Sequence, residues 1–241
     1  MSLFDQIKCA FVGVADRFNH SIPAIRLGNG QLEVKHYQSL LRQIFHQARE
    51  NPQIQALATV YFRGYQREAI QAFYRHAVSE IGHDQLALND LAATGVNVEK
   101  IPYENPLPAT SAVTAFAFYQ IYNRNPVGYL GYLFFLEFLP TSQGTTYIDL
   151  FKKIGVPAKA FTFLTDHTIV DQGHNKAMER YCDQLVRDAS DLESVIYALR
   201  TTGYLYEKMV DAAFQWADDP FDYGTSSAEL LEADGLLSPY L

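Results

Sequence analysis

Three stretches of this 241-residue chain carry side chains that could hold a metal ion. The first is "EIGH", Glu80 to His83. On a helix turning about 100° per residue, positions i and i+3 are neighbours on one face, so both side chains can reach a common ion. The second is Glu137, inside "YLGYLFFLEFL", the most apolar run of the chain. Unless it lies on a wet edge of its helix, this carboxylate must be paired, protonated or metal-bound, because burying it charged and alone is costly. The third is His167-x-x-x-Asp171-x-x-His174. Positions i, i+4 and i+7 project within about 60° of one another and form one stripe down a helix.

Each stretch also has a plainer reading: a solvated Glu beside a packed His, a wet helix edge, a polar helix face. Together they make a set, His83, His167, His174, Glu80, Glu137 and Asp171. No cysteine belongs to it, which excludes a structural thiolate zinc site. Mixed imidazole and carboxylate ligation suits Fe, Mn or Zn. The set is too large for one ion that must also bind substrate, and it suits two ions with open positions.

The elements that must position these residues read as helices throughout. Val34, Tyr37, Leu40, Leu41, Ile44, Phe45 and Ala48 form one apolar stripe, entered through "GNGQL". A second helix is expected over 65–93, ending at Thr94-Gly95, and a third over 109–123, closed by "NRNP". A fourth, over 127–139, is expected to stop at Pro140, with a short helix at 146–154. The segment 158–187 holds the third ligand stretch. The last long helix is expected to open on a capping box, Ser190 with Glu193, and to run to Trp216. Without alternating strands, repeats or composition shifts, the chain reads as one all-α domain over 1–241. It has an N-terminal helix in 1–17 and a tail in 219–241.

"DHTIVDQGH", residues 166–174, has little helix propensity, with a β-branched run at Thr168, Ile169 and Val170 and a glycine at 173. The expectation is that metal ligation winds this turn. It should be distorted without metal, while Glu80, His83 and Glu137 stay on well-formed helices. Gly82 and Gly173 each precede a ligand histidine. They point either to close helix crossing or to room for a small molecule beside the site.

The net charge of −8, with 19 Lys+Arg, argues against nucleic acid as a main partner. Cys9 and Cys182 fit no disulfide framework or CxxC pattern and suggest a reducing cytoplasm. The N-terminus makes a poor signal peptide, and the apolar run at 129–139 is too short to span a bilayer, so a soluble protein is expected.

Two helical plans could hold the set. A ferritin-like bundle wants an acid from its first helix, here Glu33 or Glu50, both at helix ends, and it leaves His167 without a role. The other plan comes from a resemblance. "NHSIPAIRLGNGQLEVKHYQSLLRQ" resembles the opening of the haem-oxygenase-like superfamily, which includes the thiaminase-II and pyrroloquinoline-quinone-synthase branches. The E-x-x-H pair, the Glu after "GYLFFL" and H-x-x-x-D-x-x-H resemble the ligands of its di-iron branch, the haem-oxygenase-like di-iron oxidases. That branch includes the chlamydial protein associated with death domains and an alkene-forming fatty-acid decarboxylase. The resemblance covers roughly residues 18–215 and implies a haem-oxygenase-like bundle of seven to eight helices. Departures set the other branches aside. Gln43 is followed by Ile44 where thiaminases carry an Asp, neither cysteine lies in the Glu137 segment, and Glu207 alone matches their C-terminal acid. His20 suggests a haem ligand only by its early position; a helix-capping histidine is the plainer reading.

The implied function is an O2-activating non-haem di-iron oxidase or oxygenase with two Fe ions, for which Mn or Zn could substitute. Its expected partners are O2, a small organic substrate (an amino acid, a fatty acid or its own side chain) and a second copy of the chain. No nucleic acid or membrane is expected. Glu137 is the expected bridging carboxylate, and Tyr65, Tyr132 or Tyr181 could be a radical site or sacrificial substrate rather than a core tyrosine. The competing class is a non-enzymatic helical binding or regulatory protein with a structural or degenerate metal site.

Overall fold

The computed structural model describes residues 2–64 and 66–221 and, within 169–175, the backbone alone. Tyr65 and the tail from residue 222 therefore lie outside the described residues. Helix α1 (Leu3–Asn19) opens on a capping box: the Ser2 hydroxyl accepts from the Asp5 N–H, and the Asp5 carboxylate accepts from Ser2. Two short turns of chain lead through α2 (Ile22–Gly28) and the Gly30 turn into α3 (Val34–Ala48), which buries the expected stripe. Then follow α4 (Asn51–Ala58), α5 (Arg67–Glu80), α6 (His83–Ala93), α7 (Pro108–Asn123), α8 (Tyr129–Lys153), α9 (Thr162–Leu185) and α10 (Ala189–Asp218). No strand occurs among the described residues.

The long helix α10 packs against α1, α3, α7 and α8, and α8 lies in turn along α9. One continuous apolar core runs between them, rich in aromatic rings such as Tyr37, Phe134, Phe135 and Phe214. Burying each such ring removes a large apolar area from water and contributes roughly 1.5–3 kcal/mol. No helix among the described residues is long and apolar enough to cross a membrane.

The element boundaries depart from the sequence pattern in three instructive places. Pro140 does not stop its helix: α8 continues through it to Lys153 and absorbs the short helix expected at 146–154. Packing on both α9 and α10 outweighs one lost backbone bond, and hydroxyls take up neighbouring carbonyls. Thr141 Oγ1 donates to the Glu137 carbonyl (2.9 Å) and Ser142 Oγ to that of Phe138 (2.6 Å). The cap of α10 is Asp188, whose carboxylate accepts from the Asp191 N–H (2.9 Å), so the Ser190–Glu193 box does not form.

The third departure matters most. The helix expected over 65–93 is two helices, because Ile81 is extended and Gly82 takes the left-handed conformation (φ 98°). That break, with the short α2 and α4, raises the helix number above the expected seven to eight.

Candidate metal centre

The break at Ile81–Gly82 turns the chain so that Glu80 ends α5 and His83 begins α6, on a new axis. Glu80 and His83 still meet, with Glu80 Oε2 3.0 Å from His83 Nδ1. The expectation that a single helix over 65–93 carries both is therefore corrected: the pair forms across a corner. Gly82 is not the place of a close helix crossing, the first of the two roles expected for it. A Cβ built there meets nothing within 4 Å, so the glycine is needed for its backbone angle. Close approach is instead the business of Gly144 on α8, where a Cβ would collide with Thr168 Oγ1 of α9. That contact sets α8 and α9 close together beside the site.

Glu137 of α8 is 5% exposed and Glu80 7% exposed, so burial rules out the wet edge for Glu137 and the solvated carboxylate for Glu80. His167 of α9 joins them, its ring 4.8 Å from that of His83. The His167 Nδ1 lies 2.8 Å from the Phe163 carbonyl, which can only accept. Nδ1 therefore carries the proton, and Nε2 presents a bare lone pair, the state a metal ligand needs. Burial lowers the His167 pKa further, outweighing the pull of Glu80, and keeps the ring neutral.

A residue not picked out by spacing completes the cluster. His76, one turn before Glu80 on α5, is 5% exposed, and its Nε2 lies 3.0 Å from Glu137 Oε1 and 3.5 Å from Glu80 Oε1. Glu80 thus directs one oxygen at His76 and the other at His83. Two groups result, Glu80–His83–His167 and His76–Glu80–Glu137, and within each group the donor atoms all lie within 4.8 Å of one another. Burial alone would push the Glu80 carboxyl up, but hydrogen bonds from His76 and His83 outweigh it and hold it below the usual carboxylate range. Burial likewise pulls His83 down, and the Glu80 carboxylate, with Asp166 behind it, more than restores it.

A sequence signal for His76 does exist. "HAVSEIGH" (76–83) and "HTIVDQGH" (167–174) share His, an acid four on, Gly before the last residue, and a final His. The chain thus contains a short repeat after all. Asp171 and His174 carry the second copy, and their side chains lie outside the described residues. The backbone of α9 is helical across 166–174, so the poor propensity of this stretch does not break it.

The tyrosines divide. Tyr181 stacks on His76 (6.3 Å, 18°) and donates to the Ala72 carbonyl, and burial, then Glu137, pushes its pKa to about 12. The Tyr132 hydroxyl is turned away from the cluster, towards Gln47 Nε2 (2.9 Å) and Asn51 Oδ1 (3.0 Å). Tyr129, which sequence reading passed over, is fully buried with a hydroxyl that has no hydrogen-bond partner among the described residues. Burial, then Tyr132, Glu80 and Glu137, raise its pKa.

The acids the ferritin plan needs are elsewhere: Glu33 caps α3 beside Lys35, and Glu50 precedes α4 beside Arg49. His20 is the exposed C-cap of α1, as its plainer reading held. Gln43 uses its carbonyl to hold Leu107 N–H and the Thr110 hydroxyl at the start of α7.

This arrangement of helices around a buried imidazole–carboxylate cluster is the haem-oxygenase-like fold. It superposes on a domain of unknown function with that fold from Shewanella denitrificans with a TM-score of 0.78 at 20% identity, covering 93% of this chain and 99% of that one. TenA homologues from P. horikoshii and Pseudomonas syringae pv. tomato follow. Each has a TM-score of 0.69, at 10% and 12% identity, covering 89% and 88% of this chain and 99% and 92% of theirs. The protein belongs to the family described as iron-containing redox enzymes, whose pattern matches residues 38–207. No functionally curated protein matches it.

Proposed function

We propose that the protein is an O2-dependent redox enzyme that holds two iron ions in this cluster and oxidises a small organic substrate with an apolar body. The observation that carries the reading is Glu80, whose two oxygens each face a different imidazole within a buried donor group. The donor set fits iron: imidazole and carboxylate, no thiolate, with His76, Glu80 and Glu137 buried. Iron bound there supplies the electrons that reduce O2 and the oxidising power applied to the substrate.

The chain's own residues do the rest. Glu80, Glu137 and Asp171 would balance the metals' charge, and His83, His167 and His174 would supply imidazole ligands. Phe163 fixes the His167 tautomer through its carbonyl and covers the ring with its own at 4.1 Å. Phe163 also lines a cavity of about 80 Å³, together with Tyr37, Leu139, Phe151, Tyr206 and Phe214, among others. None of its lining side chains is charged. Such a cavity favours the apolar part of a substrate and leaves the metals as the place for its polar end. Among the described tyrosines, Tyr129 and Tyr181 feel the charge of Glu137 and would be the ones to exchange a proton or electron with the site.

Anaerobic Fe(II) titration, followed by air, tests the reading. Saturation at two irons per chain, with O2 uptake and a transient visible band, is the expected result, and uptake should quicken with alkyl-bearing substrates. Saturation at one iron, or tight zinc binding without Fe(II) uptake, overturns the two-metal site. Two irons without O2 uptake leave a metal-binding protein that is not an oxidase.

A further inference from the structure

The ligand set expected from spacing has three imidazoles. We infer that it has four, with His76 a direct ligand of the ion that Glu137 holds; this rests on the two-metal reading above.

Geometry makes the first argument. An ion bound at about 2.0–2.2 Å by nitrogen and oxygen donors holds neighbouring donors roughly 3 Å apart. His76 Nε2 stands 3.0 Å from Glu137 Oε1 and 3.5 Å from Glu80 Oε1, with both carboxylates buried. The three donors thus already flank a common point. The ring is held in that direction: it is 5% exposed and lies flat against Tyr181.

The repeat makes the second argument independently. In "HAVSEIGH" and "HTIVDQGH", His76 stands where His167 stands, Glu80 where Asp171 does, and His83 where His174 does. His167 lies in the other donor group, together with Glu80 and His83. If each octapeptide contributes its leading His, its acid and its final His, both supply the same donor types, the first across a corner and the second along α9, with Glu137 added from α8. Glu80 then stands in both donor groups. The alternative is that His76 only hydrogen-bonds to Glu137 and orients it.

Glutamine separates these roles, because its side-chain N–H₂ can still donate to Glu137 but is a poor ligand. The experiment compares wild type, His76→Gln and His76→Ala by anaerobic Fe(II) titration. In parallel, Co(II)-loaded samples are examined by proton NMR for shifted, exchangeable imidazole N–H signals. His46→Gln, at a buried histidine outside both donor groups, is the folding control, with circular dichroism on every variant. We expect two metals and four shifted N–H signals in wild type. In both His76 variants we expect one tightly bound metal, the second weakened more than 100-fold, and three signals. Free imidazole should restore the second metal to His76→Ala. A merely orienting partner usually changes metal affinity by about 10–100-fold, and glutamine should then preserve most of it. Two metals in His76→Gln with affinity within tenfold of wild type, or three N–H signals in wild type, overturn the inference while leaving the two-metal reading intact. A wild type that binds fewer than two metals overturns both. If His76→Ala fails to fold, His76→Gln and the wild-type signal count decide.

Discussion

Glu80 and His83 are three residues apart yet belong to different helices, and their 3.0 Å contact is made across a left-handed glycine. The corner frees His83 from the face of α5, so that the opposite oxygen of Glu80 is left for His76. Most of the site's logic follows from that one turn.

The corner should be fragile. Gly82→Ala meets no clash, since nothing lies within 4 Å, but it forces an L-residue to φ 98°. That conformation costs about 1–2 kcal/mol, and the melting temperature should fall accordingly. Metal affinity at the His83–His167 half should drop more than at the His76–Glu137 half. Gly13→Ala in α1, equally open but helical, should instead stabilise by about 0.5–1 kcal/mol. Equal melting shifts for the two variants, measured by circular dichroism, would count against the strained corner.

If Glu80 bridges the two proposed ions, it is more critical than Glu137. Glu80→Gln should weaken both metals and leave less than one iron per chain, whereas Glu137→Gln should leave about one. Iron analysis after anaerobic loading and desalting decides between them. The opposite ranking would return the bridge to Glu137, the carboxylate favoured by its apolar sequence context.

The start of α9 hangs on Asp90. Its carboxylate accepts from Thr162 N–H (2.8 Å), Thr162 Oγ1 (2.6 Å) and Phe163 N–H (2.8 Å), all one turn or so before His167. Asp90 is itself fully buried on α6, the helix that begins with His83. Asp90→Ala strips the buried Phe163 N–H and the two Thr162 donors of their acceptor and should cost about 1–3 kcal/mol. Amide exchange over residues 162–167 should accelerate together with a loss of metal affinity. Unchanged exchange there would mean that packing alone holds the helix start.

His46 sets an acid limit on stability. It is 3% exposed with neither ring nitrogen hydrogen-bonded among the described residues, and burial, then Arg49 and Arg42, push its pKa down to about 3. The unfolded chain takes up that proton near pH 6.5. Between these values the unfolded state binds more protons, so this stability is fully present above about pH 6.5 and declines as pH falls. The slope is about 1.4 kcal/mol per pH unit from this group. Urea denaturation from pH 7 to pH 5 should show it, and His46→Leu should flatten the profile over that range. A wild-type curve already flat there would remove His46 as the cause.

By itself the sequence determined the helical class, the apolar faces and the kinds of ligand. Helical periodicity is a local property, and Glu137 stood out because a lone acid in "YLGYLFFLEFL" has few inexpensive explanations. It also held the matching octapeptides around His76 and His167, which become telling only once His76 is seen beside Glu137. What tertiary structure decided is where local rules lose. Pro140 stays inside α8 because two neighbouring helices pack along it, and the β-branched stretch of α9 stays helical despite its propensity. Gly82 breaks a stretch whose apolar pattern continues, because only its φ can turn α5 into α6. Which histidine faces which carboxylate, and so which acid is shared, depends on how α5, α6, α8 and α9 converge. Spacing along one chain cannot encode a meeting of four helices.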